Sequence, residues 1–283
     1  MKILIIDCFN IGYAAAYTTN DLSYNNFPTG VIYGFLNQIF HIAQKEYPCE
    51  LVFCWDSKAS KRRDIYPNYK IHRSTKPDKI DRESVYRQFD ELRECILPSM
   101  GFEARTLYRD GYEADDLIAW VTQSCSKHSC RIVSSDEDLY QLLTDDVDIL
   151  KPRKKNLYFK EDLITEYGVR PDQWPIVKAI SGCESDNILG IVGVGNKTAA
   201  KYVSGKLNPK SKVYPEIENN KEMIERNTKL VRLPFKDSTE WEEPFKIRPI
   251  VLKKENFYRV FREYGLNDFI RQMRELTQTF GLV

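Results

Sequence analysis

The chain has 283 residues, 42% of them hydrophobic and 29% charged, with a formal net charge of +1, a composition typical of a soluble globular protein with two domains. No apolar run approaches the ~20 residues that a membrane helix needs, and residues 2–6 are too short for the apolar core of a signal peptide, so we expect no membrane partner. Seven scattered cysteines without a Cys-x-x-Cys pair, together with three histidines, argue against a disulfide framework and a zinc site. We therefore expect a cytoplasmic protein with reduced thiols.

Apolar runs and helical periodicities alternate along the first 160 residues. Short continuous apolar runs predict buried strands at residues 2–6, 51–55, 102–107 and 131–135. Apolar residues at helical spacing predict helices at residues 31–43, 85–96 and 113–125. Strands that alternate with helices indicate an α/β fold with a parallel sheet.

Three of the predicted strands end in an aspartate: Asp7, Asp56 and Asp136. A single aspartate of this kind usually serves a turn, but the ligand crevice of an open parallel sheet lies at the carboxyl ends of its strands. The first turn of the helix at residues 113–125 adds three more acids, although the helix dipole alone would favour acids there: Glu113, Asp115 and Asp116. Converging carboxylates repel unless cations neutralise them, and oxygen ligands select Mg²⁺ or Mn²⁺. The pattern predicts a metal site.

The segment at residues 57–79 is strongly basic. It contains eight Lys and Arg residues and two Asp residues, a local balance of +6 in a chain of net charge +1. A solvated loop would explain the charge by itself. A basic segment beside an acidic cluster also suits a polyanion held over bound cations, which favours nucleic acid as a partner.

The pattern changes after residue 160. Residues 161–167 and 172–180 predict short helices, and three glycines then lead into a helix that starts near Asn196: Gly190, Gly193 and Gly195. A glycine-rich turn before a helix exposes backbone N–H groups that can bind phosphate. Because no strand precedes it, a helix-hairpin-helix fits better than a P-loop or a dinucleotide fingerprint. Residues 204–256 carry no recognisable chemistry, and residues 257–280 predict one or two closing helices.

Four motifs carry a resemblance to a known family. They are Tyr-Glu-Ala-Asp-Asp at residues 112–116, Ser-Ser-Asp-Glu-Asp at 134–138, a basic Tyr-Lys-x-x-Arg element within 66–73, and the glycine-rich segment 185–199. In this order they resemble the flap endonuclease family of structure-specific 5′ nucleases, especially the bacteriophage 5′–3′ exonucleases, over about residues 2–203. The resemblance implies a parallel-sheet (PIN/resolvase-like) catalytic domain with a helical arch at residues 1–160. A helical helix-hairpin-helix-type DNA-binding domain would follow at residues 161–283.

The resemblance also implies roles for individual residues. The first metal would be held by four carboxylates, with Asp116 supporting them directly or through water: Asp7, Asp56, Glu113 and Asp115. Asp136 would bridge to a second metal, with Asp138 and Asp186 beyond it. Lys70 and Arg73 would act with Asp136 in catalysis at the base of the arch, and Tyr69 would stack on a base. The remaining DNA contacts would come from Arg62, Arg63, Lys178, Gly190, Gly193, Gly195 and Lys197.

One position departs from the family pattern. The second-site motif normally reads Gly-Asp-x-x-Asp-Asn, whereas this chain has Cys183 in place of the first aspartate, followed by Glu184 one residue out of register. A neutral thiol is a poor ligand for Mg²⁺, which prefers hard oxygens. We therefore expect weaker binding of the second metal.

The expected activity is hydrolysis of DNA phosphodiesters near 5′ ends or flaps by two Mg²⁺ ions, for which Mn²⁺ can substitute, with a K⁺ ion at the hairpin. The expected partners are DNA with 5′ ends or flaps and RNA–DNA primers, in replication, primer removal or repair. We expect a monomer in the cytoplasm, or in the host cytoplasm if a phage encodes it. One alternative is a weakly active or single-metal relative that binds branched DNA as an accessory protein. Another is an RNA-cutting nuclease, against which the hairpin and the basic segment argue.

Overall fold

The computed structural model describes residues 2–19, 21–71, 80–235 and 243–283. The strands are β1 (Lys2–Asp7), β2 (Ser23–Tyr24), β3 (Phe27–Pro28), β4 (Cys49–Trp55), β5 (Thr106–Tyr108), β6 (Ser129–Val133), β7 (Val147–Lys151) and β8 (Asn156–Tyr158). The helices of the first half are α1 (Cys8–Thr19), α2 (Gly30–Glu46), α3 (Arg62–Ile65), α4 (Arg82–Glu91) and α5 (Ala114–Ser124). Those of the second half are α6 (Lys160–Tyr167), α7 (Trp174–Ser181), α8 (Asn196–Val203), α9 (Val213–Asn219), α10 (Lys221–Val231), α11 (Lys254–Glu263), α12 (Asn267–Arg271) and α13 (Met273–Phe280).

Six strands form one sheet in the order β5-β4-β1-β6-β7-β8. All neighbouring pairs are parallel except β7 and β8, which are antiparallel at the edge. Parallel sheets are covered on both faces, which explains why β1 is a continuous apolar run from Ile3 to Ile6. This architecture confirms the predicted parallel-sheet α/β fold.

The two faces of β1 contribute to two different cores. Leu4 and Ile6 pack in a core with residues of α1, α2 and α4, whereas Ile3 and Ile5 pack in a second core with residues of α5. Successive side chains of a strand point to opposite faces, so one short strand fixes helices on both sides. The arrangement places the N-terminus of α5 at the carboxyl end of β1 and β4.

Two predicted strands differ from those observed. Of the predicted strand 102–107, only the last residues pair with β4, because residues Glu103–Arg105 continue the helical turns that follow α4 as one 3₁₀ turn. The strand predicted at residues 131–135 ends at Val133. The Ser134 N–H still bonds the Leu150 carbonyl of β7, while its hydroxyl donates to Asp7. Asp136 then caps a 3₁₀ helix, Glu137–Leu142. Asp136 therefore lies three residues beyond the strand and does not end it.

The second half is helical, and the helices α9 and α10 lie where no structure was assigned from the sequence. The last helices return to the first half of the chain, because Phe257, Phe261 and Phe269 share the core of α2 with Phe40. The division into two domains between residues 160 and 161 remains a prediction. The packing nevertheless attaches helices α11–α13 to the first half of the chain. Among the described residues, no helix combines the length and the apolarity that crossing a membrane requires.

Candidate active site

The carboxyl ends of β1 and β4 bring Asp7 and Asp56 together with the first turn of α5. Asp7 is almost fully buried and accepts hydrogen bonds from the Asn10 backbone N–H at 3.0 Å and the Ser134 hydroxyl at 2.7 Å. Asp56 accepts a hydrogen bond from the Ala114 N–H at 2.8 Å, which fixes the start of α5 against β4. The convergence predicted from the strand ends is therefore present in the structure.

Several carboxyl groups of this cluster resist ionisation. Burial, reinforced by the negative charge of Asp56, raises the pKa of Asp7 to about 7. Burial followed by the charges of Asp136, Asp7 and Asp56 raises the pKa of Asp115 well above its usual range. Desolvation by its neighbours also raises the pKa of Asp136, although this residue is exposed. Mutual repulsion of this kind is relieved by bound cations, so the cluster has the electrostatics of a metal site.

Glu113 has the opposite electrostatic environment. Burial works to raise its pKa, but the positive charges of Lys70 and Arg62 outweigh burial and lower the pKa to about 2. Its Oε2 atom accepts hydrogen bonds from the Lys70 ammonium at 2.7 Å and the Tyr69 hydroxyl at 3.0 Å. Glu113 therefore stays ionised at neutral pH beside neighbours whose pKa values are raised.

Asp116 and Arg62 occupy positions that differ from those implied by the resemblance. Asp116 is fully buried, and four N–H groups fill its acceptor positions: a bidentate pair from Arg62 at 2.7 and 2.8 Å, Glu113 N–H at 3.0 Å and Phe235 N–H at 2.8 Å. Because all of its acceptor positions are filled, the Asp116 carboxylate holds Glu113 and Arg62 in place. We therefore correct its expected role: Asp116 positions these two residues and does not support a metal. Arg62 is 2% exposed and also donates to the Leu230 carbonyl, so it does not face DNA.

Tyr69 is buried as well, contrary to the expectation that it stacks on a base. It is 2% exposed, and its hydroxyl lies 3.0 Å from Glu113 Oε2 and 3.3 Å from Asp186 Oδ2. Its ring packs with Ile188 and Leu230, residues of the second half. Tyr69 therefore connects carboxylates of the two halves instead of offering a stacking face.

Lys70 lies at the same junction. Its backbone has a positive φ of 54° and donates to the Asp186 carbonyl at 2.8 Å, while its ammonium lies 3.9 Å from the Asp186 carboxylate. The backbone bond fixes a conformation that non-glycine residues rarely adopt. Arg63 is exposed beside this segment and donates to the Tyr69 carbonyl. Arg73 lies outside the described residues.

A second group of ligand atoms forms where the turn after α7 meets the 3₁₀ helix. One carboxylate oxygen each from Asp138 and Asp186 and the sulfur of Cys183 all lie within 4.8 Å of one another. Burial followed by the charge of Asp136 raises the pKa of Asp138 to about 6. The Asp138 Oδ1 atom is buried without a well-formed hydrogen bond, and the Lys178 ammonium lies 3.0 Å from it. The Lys178 ammonium therefore contacts a carboxylate and is not exposed on a surface that DNA could contact.

The glycine-rich hairpin is exposed and leads into α8. A Cβ atom on Gly190 would collide with the backbone of Ser181 and Gly182, whereas Gly193 has a φ of 77° and open space around it. Gly195 occupies the N-cap position of α8, and Lys197 in its first turn is exposed. Val192 at the hairpin tip is 94% exposed. The hairpin thus presents backbone N–H groups and one lysine to the surface.

Ser134 and an aromatic wall were not identified from the sequence. The Ser134 hydroxyl donates to Asp7 and accepts from the Asp136 N–H at 3.0 Å, so it links two site carboxylates. Ser134 is the first residue of the motif at residues 134–138, and this position is the one feature of the sequence that points to it. A cleft of about 1520 Å³ is lined by Asp56 and Glu113 on one side and by aromatic side chains of α1 and α4, Tyr13 and Tyr86 among them.

An open parallel sheet that gathers carboxylates at its strand ends, beside a basic segment and a glycine-rich hairpin, defines a metal-dependent phosphodiesterase. Residues 2–168 match the family model of the 5′–3′ exonuclease N-terminal resolvase-like domain. The chain belongs to the 5′–3′ exonuclease family.

The relatives agree with this assignment. The chain is 34% identical over 253 residues to a 5′–3′ exonuclease of Aquifex aeolicus, covering 82% of each chain. It is 35% identical over 206 residues to the thermostable DNA polymerase I of Thermus aquaticus, covering 71% of this chain but 24% of that longer protein. The fold matches a structure of the bacteriophage T5 flap endonuclease with DNA and metal ions, with a TM-score of 0.65 and 21% identity, covering 98% of this chain and 100% of that one.

Proposed function

We propose that this protein is a structure-specific 5′ nuclease that hydrolyses DNA phosphodiesters near 5′ ends and flaps with two divalent cations, of which Mg²⁺ is the natural choice and Mn²⁺ a substitute. The observation that carries the proposal is the group of buried Asp7, half-buried Asp115 and exposed Asp136, whose pKa values are raised first by desolvation and then by neighbouring carboxylates. Bound cations would relieve both effects. The oxygen-only donors around Asp7 fit a hard cation.

We propose a division of labour among these carboxylates. Asp7, Asp56, Glu113 and Asp115 would hold the first cation, and Asp136, Asp138 and Asp186 the second. Cations bound there would lower the pKa of water to generate the attacking hydroxide and neutralise charge at the phosphorus. The protein contributes fixed carboxylates, because the Ser134, Ala114 and Asn10 groups already orient them before substrate arrives.

We assign Lys70 a direct role on the substrate. Its ammonium lies 2.7 Å from Glu113 Oε2, and both residues line the cleft, so a phosphate held over the carboxylates would lie beside it. A positive charge there stabilises the charge that develops in the transition state. We assign the same role to Arg73 on the strength of the Tyr-Lys-x-x-Arg motif alone.

The second half would hold the duplex. The exposed hairpin, with Gly193, Gly195 and Lys197, supports contact with the phosphate backbone through N–H groups and a K⁺ ion bound by carbonyls. Relatives named DNA polymerase I support a role in replication, primer removal or repair, with RNA–DNA primers among the substrates. We further propose that the protein acts as a monomer in the cytoplasm.

A gel assay tests the proposal. A 5′-labelled flap, a nicked duplex, an RNA-primed duplex and a single strand are each incubated with the protein, with and without Mg²⁺. We expect cleavage of the flap and the 5′-ended duplexes that stops in EDTA, with 5′-phosphate and 3′-hydroxyl products. Full activity in excess EDTA would overturn it.

Cys183 favours one alternative. A sulfur atom in the second group of ligands supports a weakly active relative that serves mainly as a branched-DNA-binding accessory protein. Tight flap binding with turnover near the background rate in both Mg²⁺ and Mn²⁺ would favour this alternative over the nuclease.

A further inference from the structure

The environment of Cys183 is fixed by the backbone. Cys183 and Ile188 form an isolated antiparallel bridge, with N–H···O distances of 2.9 and 3.0 Å in the two directions. The bridge closes the turn that carries Asp186, so sulfur and carboxylate are held on the same side of one short loop. Asp138 approaches from the 3₁₀ helix of the first half.

The three ligand atoms are close enough to surround one ion. They lie within 4.8 Å of one another, and ligand atoms around a tetrahedral Zn²⁺ with bonds of about 2.0–2.3 Å lie roughly 3.5 Å apart. Shifts of about 1 Å in the positions of the ligand atoms would therefore bring the three of them around one cation. The sequence argued against a zinc site because no cysteine pair is present, but the fold assembles sulfur and oxygen donors from distant segments.

The charges also balance for a thiophilic cation. Two carboxylates and one thiolate carry three negative charges, which a divalent cation and the Lys178 ammonium beside Asp138 neutralise together. Without such a cation the sulfur carries a proton at neutral pH, because the ordinary pKa of a cysteine thiol is about 8.5. Mg²⁺ does not displace that proton effectively, since it prefers hard oxygens, whereas Zn²⁺ and Co²⁺ bind thiolate well.

We propose that Cys183, Asp138 and Asp186 form a mixed thiolate–carboxylate site that binds Zn²⁺ more tightly than Mg²⁺. This site rests on the proposed function, which assigns the second cation to the same place. As the metal–sulfur bond forms, the S–H bond breaks and its proton passes to solvent, with no change of oxidation state. Zn²⁺ and Mg²⁺ therefore compete for the second site of this nuclease.

The test uses Co²⁺ as a spectroscopic probe of the full-length, metal-free protein. Co²⁺ titration should produce thiolate-to-metal charge-transfer absorption in the near ultraviolet, which Zn²⁺ then removes by displacement. Cys183→Ser should lose this absorption and bind Zn²⁺ at least about 10-fold more weakly. Cys95→Ser is the matched control, because Cys95 is an exposed cysteine far from the site in sequence, and it should keep the absorption.

The outcomes separate the two proposals. Absence of the charge-transfer band in the wild-type protein, or its persistence in Cys183→Ser with native circular dichroism, would overturn the thiolate site while leaving flap cleavage in Mg²⁺ untouched. Cleavage absent in every metal, with the band present, would overturn the proposed function instead. Cys183→Asp supplies a hard oxygen at the same place, so it should lose the band and reach half-maximal cleavage at less Mg²⁺ than the wild type.

Discussion

Arg62 and Asp116 form a buried bidentate ion pair, with N–O distances of 2.7 and 2.8 Å and side-chain exposures of 2% and 0%. The pair joins the basic segment to the first turn of α5. The Leu230 carbonyl and the Phe235 N–H complete it from the second half of the chain. Three segments that are distant in sequence, the basic segment, the start of α5 and residues 230–235, thus meet at one ion pair directly behind Glu113.

Breaking this pair should destabilise the whole protein. Arg62→Ala leaves Asp116 buried without its counter-charge, a loss of about 3–5 kcal/mol in the free energy of unfolding. Urea denaturation followed by circular dichroism measures the change. Arg63→Ala is the matched control, since Arg63 is the exposed neighbour on the same helix and should shift the midpoint little. Equal midpoints for the two variants would contradict a structural role for the pair.

Asp136 should be essential for turnover but not for binding. Asp136→Ala removes the carboxylate expected between the two cations, so flap cleavage should fall to background. Flap affinity should hold or increase, because one negative charge no longer repels phosphate. Fluorescence anisotropy and single-turnover cleavage measure the two effects, with exposed Asp146→Ala as the control. Near-normal turnover of Asp136→Ala would show that the site is wrongly placed.

Tyr69→Phe distinguishes positioning from base stacking. The change keeps the ring but removes the hydroxyl that lies 3.0 Å from Glu113 and 3.3 Å from Asp186. A hydrogen bond to a charged group contributes about 1.5–3 kcal/mol, so turnover should fall by about 10-fold or more while DNA affinity stays constant. A stacking role would leave Tyr69→Phe fully active. Tyr66→Phe, in the same cluster, is the control.

Lys70→Ala should affect turnover more than affinity. The substitution removes a charge expected at the scissile phosphate, and it removes the main influence that lowers the pKa of Glu113. Lys197→Ala, at the exposed hairpin, should instead weaken duplex binding and leave the rate at saturating DNA unchanged. Comparing kcat and Kd for both variants checks the assignment, and equal losses of kcat and affinity in Lys70→Ala would mark it as an ordinary phosphate contact.

Mg²⁺ should stabilise the protein more as pH rises. Burial together with Asp56 raises the pKa of Asp7 to about 7, and burial together with Asp136 raises that of Asp138 to about 6. Protonation of these groups stabilises the metal-free fold below the unfolded pKa of about 4, and that contribution is lost as pH rises through about 6 to 7. Bound Mg²⁺ replaces the protons, so the rise in Tm caused by Mg²⁺ should be larger near pH 8 than near pH 6.

Differential scanning calorimetry with and without Mg²⁺ measures this dependence. Asp7→Asn cannot ionise at that position, so the metal-free variant should lose less stability than the wild type as pH rises through about 7. An Mg²⁺ effect on Tm that is independent of pH in the wild-type protein would contradict competition between protons and metal.

The amino-acid sequence by itself determined four of the six strands of the sheet and the carboxylates at its edge, whereas β7 and β8 lie where no strand was predicted. Continuous apolar runs identify parallel strands, and an aspartate directly after such a run must lie at the carboxyl end of the sheet, as Asp7 and Asp56 do. The helical periodicity after Glu113 predicted α5, which the structure confirms as Ala114–Ser124. These features are local, so spacing along the chain is sufficient to predict them.

Only the tertiary structure decided which polar residues face the substrate and which are buried. The sequence motifs predicted DNA or metal contacts for three residues that the structure buries: Arg62, Tyr69 and Asp116. Helix α10 and the segment at Phe235 cover them, although both lie more than a hundred residues away in sequence. The same folding brings Asp138 next to Cys183 and attaches α11–α13 to α2. Burial depends on what packs against a side chain from elsewhere in the chain, and periodicity within one segment carries no information about that partner.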